Sequence, residues 1–373
     1  MKKISLSANS SWYLYNFRFS TIKRALEEGY YVVCISPEDD YSQKLIDLGC
    51  EHYPLKFKSK STNPFSEFIL ILKFFLAYYR IKPKAAFHFT IKNNIYGTFA
   101  AWFLSISAVN NISGLGTAFL KKSIFSSFIL FLYKISQLLA FKVFCQNSED
   151  YNFLIQNKVV NENKLILIPG SGVDTNKFHP SHRELYKSLN SNKPFTFLFV
   201  GRMLYDKGLS ELLEAIRIIN LDKVKCKLVL CGFTDSDNIS AVSATDINKW
   251  LNIPGVDWVG SSNSVEKIMA KVDCVVLPSY REGMPRSLLE AGSMAIPSIA
   301  TDVPGCRDLI VDEFNGFLCK PYSAASLVDV MQKVISFDSQ KLEKIGKNAR
   351  TNVLSNFDEK IVIKRFFEVL NQL

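Results

Sequence analysis

Short apolar runs alternate with amphipathic segments along most of the chain. Residues 30–36, YYVVCIS, form a nearly continuous apolar run, which is typical of a strand buried on both faces of a parallel sheet. A first strand is predicted at 3–8, and a helix at 19–29 that stops at Gly29. The polar residues 9–16 are predicted to form the loop between them. Strands that alternate with helices predict βαβ units.

The same alternation starts again in the second half of the chain. Strands are predicted at 195–201, 227–232 and 274–279, with helices between them. Two such series predict an α/β protein of two doubly wound, Rossmann-like domains that face each other across a cleft. We place the domains at 1–172 and 173–356. In such sheets ligands bind beyond the carboxyl ends of the strands, so functional residues are expected in the loops that follow strands.

The net charge of +10 is unevenly distributed. Residues 68–148 contain nine Lys and Arg, no Asp or Glu, and many Phe, Leu, Ile and Tyr. This composition favours an anionic membrane surface as a partner. Nucleic acid ranks lower, because no dense Lys and Arg run or nucleic-acid-binding module is present.

Segment 123–142 is the most apolar stretch of this region. A membrane span needs about 20 predominantly apolar residues, and Lys134, Gln137 and several serines interrupt this one. We therefore expect an amphipathic helix that packs or lies on the membrane, with a true span as the less favoured alternative. Residues 65–79 predict a second helix of this kind.

The eight cysteines are scattered, and none belongs to a CxxC pair. Only four histidines accompany them. The spacing favours free buried thiols over a zinc site or a disulfide framework.

The stretch FVGRMLYDKG, residues 199–208, brings two cations to the end of a strand. Arg202 follows the strand directly, and Lys207 precedes the next helix. A guanidinium, an ammonium and a helix start at one place can bind phosphate. The alternative, a surface loop with ordinary ion pairs, stays open on this motif alone.

The stretch REGMPRSLLEA places Glu282 on a loop and Glu290 in the following helix. Gly283, Met284 and Pro285 lie between them, and their amides are expected to point toward the same site as Glu282. Glu290 can accept hydrogen bonds from paired hydroxyls such as those of a ribose. The alternative is that Glu282 pairs with a neighbouring arginine in solvent and that Glu290 is an ordinary polar helix position.

Together these motifs resemble the family 4 retaining glycosyltransferases of the GT-B fold. The downstream AIPSIATDVPGCRDLI and NGFL and the linker IPGSGVDTNKFHP match as well. The resemblance implies that Arg202 and Lys207 bind the donor diphosphate, that Glu282 contacts the donor sugar and Glu290 the ribose, and that Gly260 lies by the base. It also implies an acceptor-binding first domain, a nucleotide-sugar-binding second domain, and a final helix, 357–373, that crosses back to the first domain.

The amino-terminal segments NSSWYLYNFR and FHFTIKNNIYGTFAAW narrow the resemblance. They are similar to α-1,3-N-acetylgalactosaminyltransferases that act on undecaprenyl-diphosphate-linked sugars in O-antigen and related glycan assembly. This implies a UDP-sugar donor, a polyprenyl-diphosphate-linked acceptor, and a peripheral location on the cytoplasmic face of the bacterial inner membrane. His88 is a candidate for positioning the acceptor hydroxyl and Lys92 for binding a phosphate, while a structural hydrogen-bonding role for His88 stays open.

No metal or other cofactor is expected. Asp235-Ser236-Asp237 has the DxD form that holds a divalent cation in other nucleotide-sugar enzymes, but Arg202 and Lys207 already supply positive charge. Three alternatives remain: another hexosyl- or rhamnosyltransferase of this fold, a UDP-sugar epimerase of the same shape, and a non-catalytic protein of polysaccharide assembly.

Overall fold

The computed structural model describes residues 2–57, 63–115, 124–183, 194–223, 225–234, 238 and 240–373. These residues divide into two compact units. The first comprises Met1–Ser171 together with Lys360–Leu373, and the second comprises Gly172–Glu359.

The first unit is built on a seven-stranded parallel sheet with the order β3-β2-β1-β4-β5-β6-β7. Its strands are mostly buried, in keeping with their apolar sequences. Their bounds are β1 (Lys3–Ser7), β2 (Tyr31–Ser36), β3 (Glu51–Pro54), β4 (Ala85–His88), β5 (Ser107–Ile112), β6 (Lys142–Cys145) and β7 (Leu165–Leu167).

Helices connect these strands on both faces of the sheet. They are α1 (Ser11–Glu27), α2 (Ser42–Asp47), α3 (Pro64–Ile81), α4 (Thr98–Phe103), α5 (Ile124–Leu139) and α6 (Ser148–Gln156), with a π-helix at Asn93–Gly97 before α4. The predicted loop at 9–16 is wrong, because α1 begins at Ser11. The side chain of Ser10 accepts a hydrogen bond from the Tyr13 amide and caps this helix, so the polar residues mark its start.

The second unit contains a six-stranded parallel sheet with the order β10-β9-β8-β11-β12-β13. Its strands are β8 (Phe195–Val200), β9 (Cys226–Cys231), β10 (Val256–Trp258), β11 (Cys274–Leu277), β12 (Ser298–Thr301) and β13 (Phe317–Cys319). Two parallel, doubly wound sheets confirm the predicted fold class.

Its helices are α7 (Leu209–Ile219), α8 (Ala244–Trp250), α9 (Val265–Met269), α10 (Arg286–Ser293), α11 (Cys306–Leu309), α12 (Ala324–Ile335) and α13 (Ser339–Asn356). A single core of buried apolar side chains runs from Val173 to Phe357 and joins these helices to the sheet. A last helix, α14 (Glu359–Leu370), packs in the first unit. There Phe366 stacks on Phe87 of β4, with ring centroids 4.1 Å apart.

No helix among the described residues is both long enough and apolar enough to cross a membrane. Helix α5 covers 16 residues of the segment 123–142. All eight cysteines are buried, and none of them is paired in a disulfide.

Candidate active site

The order of the strands in the second sheet reverses at β8. This strand has β9 on one side and β11 on the other, so the loops after β8 and β11 leave neighbouring strands at a topological switch point. Parallel open sheets bind ligands at the carboxyl ends of the strands at this point. Both motifs singled out in the sequence lie in these two loops.

The loop after β8 turns sharply onto the loop after β11. A 3₁₀ turn, Tyr205–Lys207, leads into Gly208, whose φ of 69° lies in the left-handed region. A Cβ at Gly208 would lie 2.0 Å from the carbonyl oxygen of Pro278. Only glycine therefore permits the two loops to come this close.

Tyr280 joins the two loops further. Its amide donates to the Asp206 carbonyl at 3.0 Å, and its hydroxyl donates to the carboxylate of Glu211 on α7 at 2.8 Å. Its ring also stacks on Tyr322, with centroids 4.0 Å apart. The sequence carried no signal for these contacts, because Tyr280 is separated from each of these partners by at least 42 residues.

Lys207 and Glu282 meet at the switch point. The Lys207 Nζ lies 2.6 Å from the Glu282 Oε1, and the two side chains are only 20% and 12% exposed. The alternative pairing of Glu282 with a neighbouring arginine is thus replaced by a pair that joins the two motifs. An ammonium can neutralise a phosphate and a carboxylate can accept hydrogen bonds from sugar hydroxyls, so the arrangement suits a nucleotide sugar.

The backbone between Glu282 and α10 packs closely against the rest of the second unit. Gly305, with a φ of 77°, packs so closely that a Cβ there would lie 2.3 Å from the Gly283 carbonyl oxygen. Met284 packs against the core of the second unit. Pro285 is the N-cap residue of α10 and carries no N–H, so the expectation of amide donors at all three positions is wrong at Pro285.

Glu290 is buried on α10 and forms an ion pair with Arg286 one turn earlier, with the Arg286 Nε 2.9 Å from its Oε1. Burial raises the pKa of the Glu290 carboxyl, and the charges of Arg286 and Lys177 oppose that shift. A buried carboxylate with one cationic partner has further lone pairs that can accept hydrogen bonds from hydroxyl groups.

The two remaining predicted donor residues also lie at this edge of the sheet. Arg202 is exposed and lies two residues after the end of β8. Gly260 follows the edge strand β10, and its carbonyl accepts from the Gly232 amide at 2.8 Å. Apart from its chain neighbours, no atom of the described residues lies within 4 Å of the position that a Cβ would take at Gly260.

His88 lies in the first unit, at the end of β4, and its side chain is fully buried. Its Nδ1 is 2.7 Å from the Asn110 Oδ1, and its Nε2 is 2.8 Å from the Tyr78 hydroxyl. Because the amide oxygen can only accept, Nδ1 carries the proton and the Tyr78 hydroxyl donates to Nε2. Burial lowers the pKa of His88 to about 4. These contacts are those of a histidine with a structural hydrogen-bonding role. The ring has no exposed surface that an acceptor could contact.

Lys92 follows the same strand, four residues after His88. Its Nζ lies 2.5 Å from the Glu67 Oε1, and both side chains are largely buried. Glu67 stands just before the acid-free stretch 68–148, so the composition of that stretch did not reveal this partner.

Within the part of the chain that the structure describes, no group of three or more His, Cys, Asp or Glu side chains could hold a metal ion. Asp235 and Asp237 of the DxD sequence lie outside the described residues.

Comparison with known proteins covers both units. Residues 3–147 match the family model described as "Glycosyl transferase 4-like", and residues 182–352 match "Glycosyl transferases group 1". The structure of HepE from Anabaena, solved in complex with UDP and glucose, superposes with a TM-score of 0.80 at 18% identity and covers 100% of both chains. This likeness shows a shared fold.

Two curated relatives are informative. N,N'-diacetylbacillosaminyl-diphospho-undecaprenol α-1,3-N-acetylgalactosaminyltransferase of Campylobacter jejuni is 28% identical over 100% of this chain and 99% of its own length. UDP-Gal:α-D-GlcNAc-diphosphoundecaprenol α-1,3-galactosyltransferase of Escherichia coli is 28% identical over 60% of this chain and 57% of its own length.

The fold and the two family matches define a glycosyltransferase of the GT-B class. The chain belongs to the family 4 type, with a glycosyl transferase 4-like first unit and a group 1 second unit. Its homologues include enzymes that act on undecaprenyl-diphosphate-linked sugars.

Proposed function

We propose that this glycosyltransferase moves N-acetylgalactosamine from its UDP donor to an undecaprenyl-diphosphate-linked sugar, forming an α-1,3 linkage with retention of configuration. The observation that carries the donor half of the proposal is the Lys207–Glu282 pair at the switch point of the second sheet. The acceptor, the sugar and the linkage are taken from the Campylobacter relative, which aligns over the whole chain.

The second unit is assigned to the donor. Lys207 and Arg202 bind the diphosphate, with the amides of Gly283 and Met284 as further donors near Glu282. Glu282 contacts the transferred sugar, Glu290 the ribose, and Gly260 lies beside the base. In the absence of donor Glu282 neutralises Lys207, so the diphosphate competes with that carboxylate for the ammonium.

The chemistry assigned to these residues is charge stabilisation and orientation. As the bond between the sugar and the diphosphate breaks, negative charge grows on the leaving diphosphate, and two cations held at the site stabilise it. The leaving diphosphate accepts the proton of the attacking acceptor hydroxyl on the same face of the sugar, which retains the configuration. The buried Glu290 fixes the nucleoside so that the two reacting groups stay aligned.

The first unit is assigned to the lipid-linked acceptor and to the anionic cytoplasmic face of the inner membrane. Three neighbouring helices of this unit, α3, α4 and α5, leave large apolar side chains exposed. On α3 they recur every three or four residues and form one face. The exposed side chains are Phe65, Phe68, Leu72, Leu76 and Tyr79 on α3, Trp102 and Phe103 on α4, and Phe131 and Leu138 on α5. Basic residues without acids accompany them through 68–148, a combination suited to a peripheral contact with anionic lipid.

The direct experiment is a transfer assay with the full chain, a panel of radiolabelled UDP-sugars and a synthetic polyprenyl-diphosphate sugar. Labelled lipid product from UDP-N-acetylgalactosamine supports the proposal. Transfer from a different donor alone would replace the sugar and keep the class. Conversion of the donor without acceptor would indicate an epimerase, and the absence of saturable donor binding would indicate a non-catalytic assembly protein.

The donor site is proposed to work without a metal ion, because its cations come from the protein. Dialysis against EDTA is expected to leave turnover unchanged. Loss of turnover that Mn²⁺ restores would overturn this part of the proposal.

A further inference from the structure

A groove opens at the amino-terminal edge of the first sheet, where β5 and β6 begin. It has a volume of about 580 Å³. The end of α4, the end of α5 and the turn before β7 form its walls. This is the edge opposite to the carboxyl ends of the strands, where His88 and Lys92 lie, so the groove is separate from the residues assigned to the reaction.

Two lysines line this groove, and none of the lining residues is acidic. The Lys142 Nζ donates to the Asn163 carbonyl at 2.8 Å. The Lys164 Nζ donates to the carbonyls of Leu138 and Ala140 at 2.7 and 2.8 Å and so caps α5. An ammonium has three N–H donors, so these bonds leave two donors on Lys142 and one on Lys164.

Lys142 and Lys164 both line the groove, and the positive charge of one disfavours that of the other. Desolvation and the charge of Lys142 both lower the pKa of Lys164. Two like charges that share a groove without a carboxylate are stabilised by an anion that bridges them.

We propose that this groove is a binding site for the phosphate group of an anionic membrane lipid, held by Lys142 and Lys164. The site goes beyond the proposed transfer reaction, since it takes a lipid that is neither donor nor acceptor.

A lipid headgroup is the occupant because the groove lies at the border of the exposed apolar face. Trp102 of α4 lines the groove and is 53% exposed, and Leu138, the residue before Leu139 of the groove wall, is 41% exposed. A lipid whose phosphate lies on the lysines can therefore place its acyl chains along these side chains. An indole ring such as that of Trp102 is favoured at the interface of a bilayer, between the headgroups and the acyl chains.

The test measures acetylation of individual lysines by mass spectrometry, with the full chain mixed with vesicles. Phosphatidylcholine vesicles containing about one third phosphatidylglycerol are compared with pure phosphatidylcholine vesicles. We expect Lys142 and Lys164 to react at least about fivefold more slowly on the anionic vesicles. Lys223 and Lys227, exposed lysines of the second unit, serve as the matched controls and should not change. Unprotected Lys142 and Lys164 would overturn the proposal, as would equal protection by inorganic phosphate without vesicles.

Variants give an independent readout. K142Q/K164Q should weaken binding to the anionic vesicles about twenty-five-fold, at about fivefold per cation, while K223Q/K227Q should weaken it by less than about twofold. Because Lys164 caps α5, K142Q alone is the variant to use if the double variant does not fold, with an expected loss of about fivefold. If both double variants lost the same affinity for anionic vesicles, general surface charge would explain the binding. That result would contradict a specific site in the groove.

This test is separate from that of the proposed function. K142Q/K164Q should keep its turnover of a water-soluble short-chain acceptor. A wild-type chain that protects both lysines but transfers no sugar would refute the transfer reaction and leave the lipid site standing.

Discussion

The two sheets share one topology but use it differently. Each is parallel and doubly wound, and each reverses strand order beside its first strand, at β1 and β4 in one unit and at β8 and β11 in the other. Beyond β8 and β11 an ion pair, Lys207 with Glu282, remains partly open to solvent. At the end of β4, His88 is enclosed by neutral hydrogen-bonding partners. The same position in the fold therefore carries an ion pair in one unit and a network of neutral side-chain hydrogen bonds in the other.

The largest expected effect comes from removing the ammonium group of Lys207 from its pair with Glu282. Lys207→Ala should lower kcat/KM by about a hundredfold to a thousandfold, the range for loss of one preorganised group that stabilises transition-state charge. Steady-state kinetics with varied donor measure it. Lys333→Ala, which removes a surface lysine paired with Glu313 in the same unit, is the control and should have no effect. Equal activity of the two variants would remove Lys207 from the donor site.

Glu290→Ala should raise the KM for the donor about tenfold to a hundredfold, because hydrogen bonds to a charged group contribute about 1.5–3 kcal/mol. The matched control is Glu214→Ala, since Glu214 also pairs with an arginine of its own helix but lies on the surface. A donor KM that is the same in wild type and in Glu290→Ala would show that the ion pair with Arg286 is purely structural.

For the buried hydrogen bonds of His88, we expect a substitution to lower the free energy of unfolding and to leave catalysis intact. His88→Ala leaves the Tyr78 hydroxyl and the Asn110 amide without their buried partner, which should reduce the free energy of unfolding by about 1–3 kcal/mol. Denaturant unfolding of the first unit, compared with His182→Ala at an exposed histidine, measures this loss. A stable His88→Ala variant with kcat reduced more than about a hundredfold would instead return His88 to the reaction.

The smallest effect is on the pH dependence of stability. The pKa of His88 is about 4 in the folded chain and about 6.5 when unfolded. The unfolded state therefore binds the extra proton first, and stability present above pH 6.5 is lost as the pH falls toward 4. The loss should reach about 1 kcal/mol near pH 5.5. Unfolding curves between pH 7 and 5.5 should show a shallower slope in His88→Asn than in wild type; identical slopes would contradict a buried, neutral His88.

The sequence predicted β1, β2, β8, β9 and β11, which are inner strands of their sheets and mostly apolar. It did not predict β3, β7, β10 and β13, and these four strands are the edges of the two sheets. Edge strands here are three or four residues long and partly exposed, so they lack the continuous apolar run that identifies a buried strand.

The candidate site likewise contains residues that the sequence predicts and contacts that it does not predict. Lys207, Glu282 and Glu290 could be found because motif spacing along the chain singles them out. The partners Tyr280–Glu211, Gly208–Pro278 and Gly305–Gly283 depend on how loops from different strands pack, which local spacing does not encode. The sequence leaves the role of His88 open, because Tyr78 and Asn110, which enclose it, come from elements 10 and 22 residues away.

We propose that the donor diphosphate binds through Lys207 at the carboxyl ends of the strands of the second sheet. Isothermal titration calorimetry of UDP and of uridine into wild type, Lys207→Ala and Lys333→Ala tests it without any acceptor. We expect UDP to bind wild type and Lys333→Ala alike, Lys207→Ala to lose about tenfold or more of the affinity for UDP, and uridine to bind all three proteins equally. Equal affinity of UDP for Lys207→Ala and wild type would contradict this proposal.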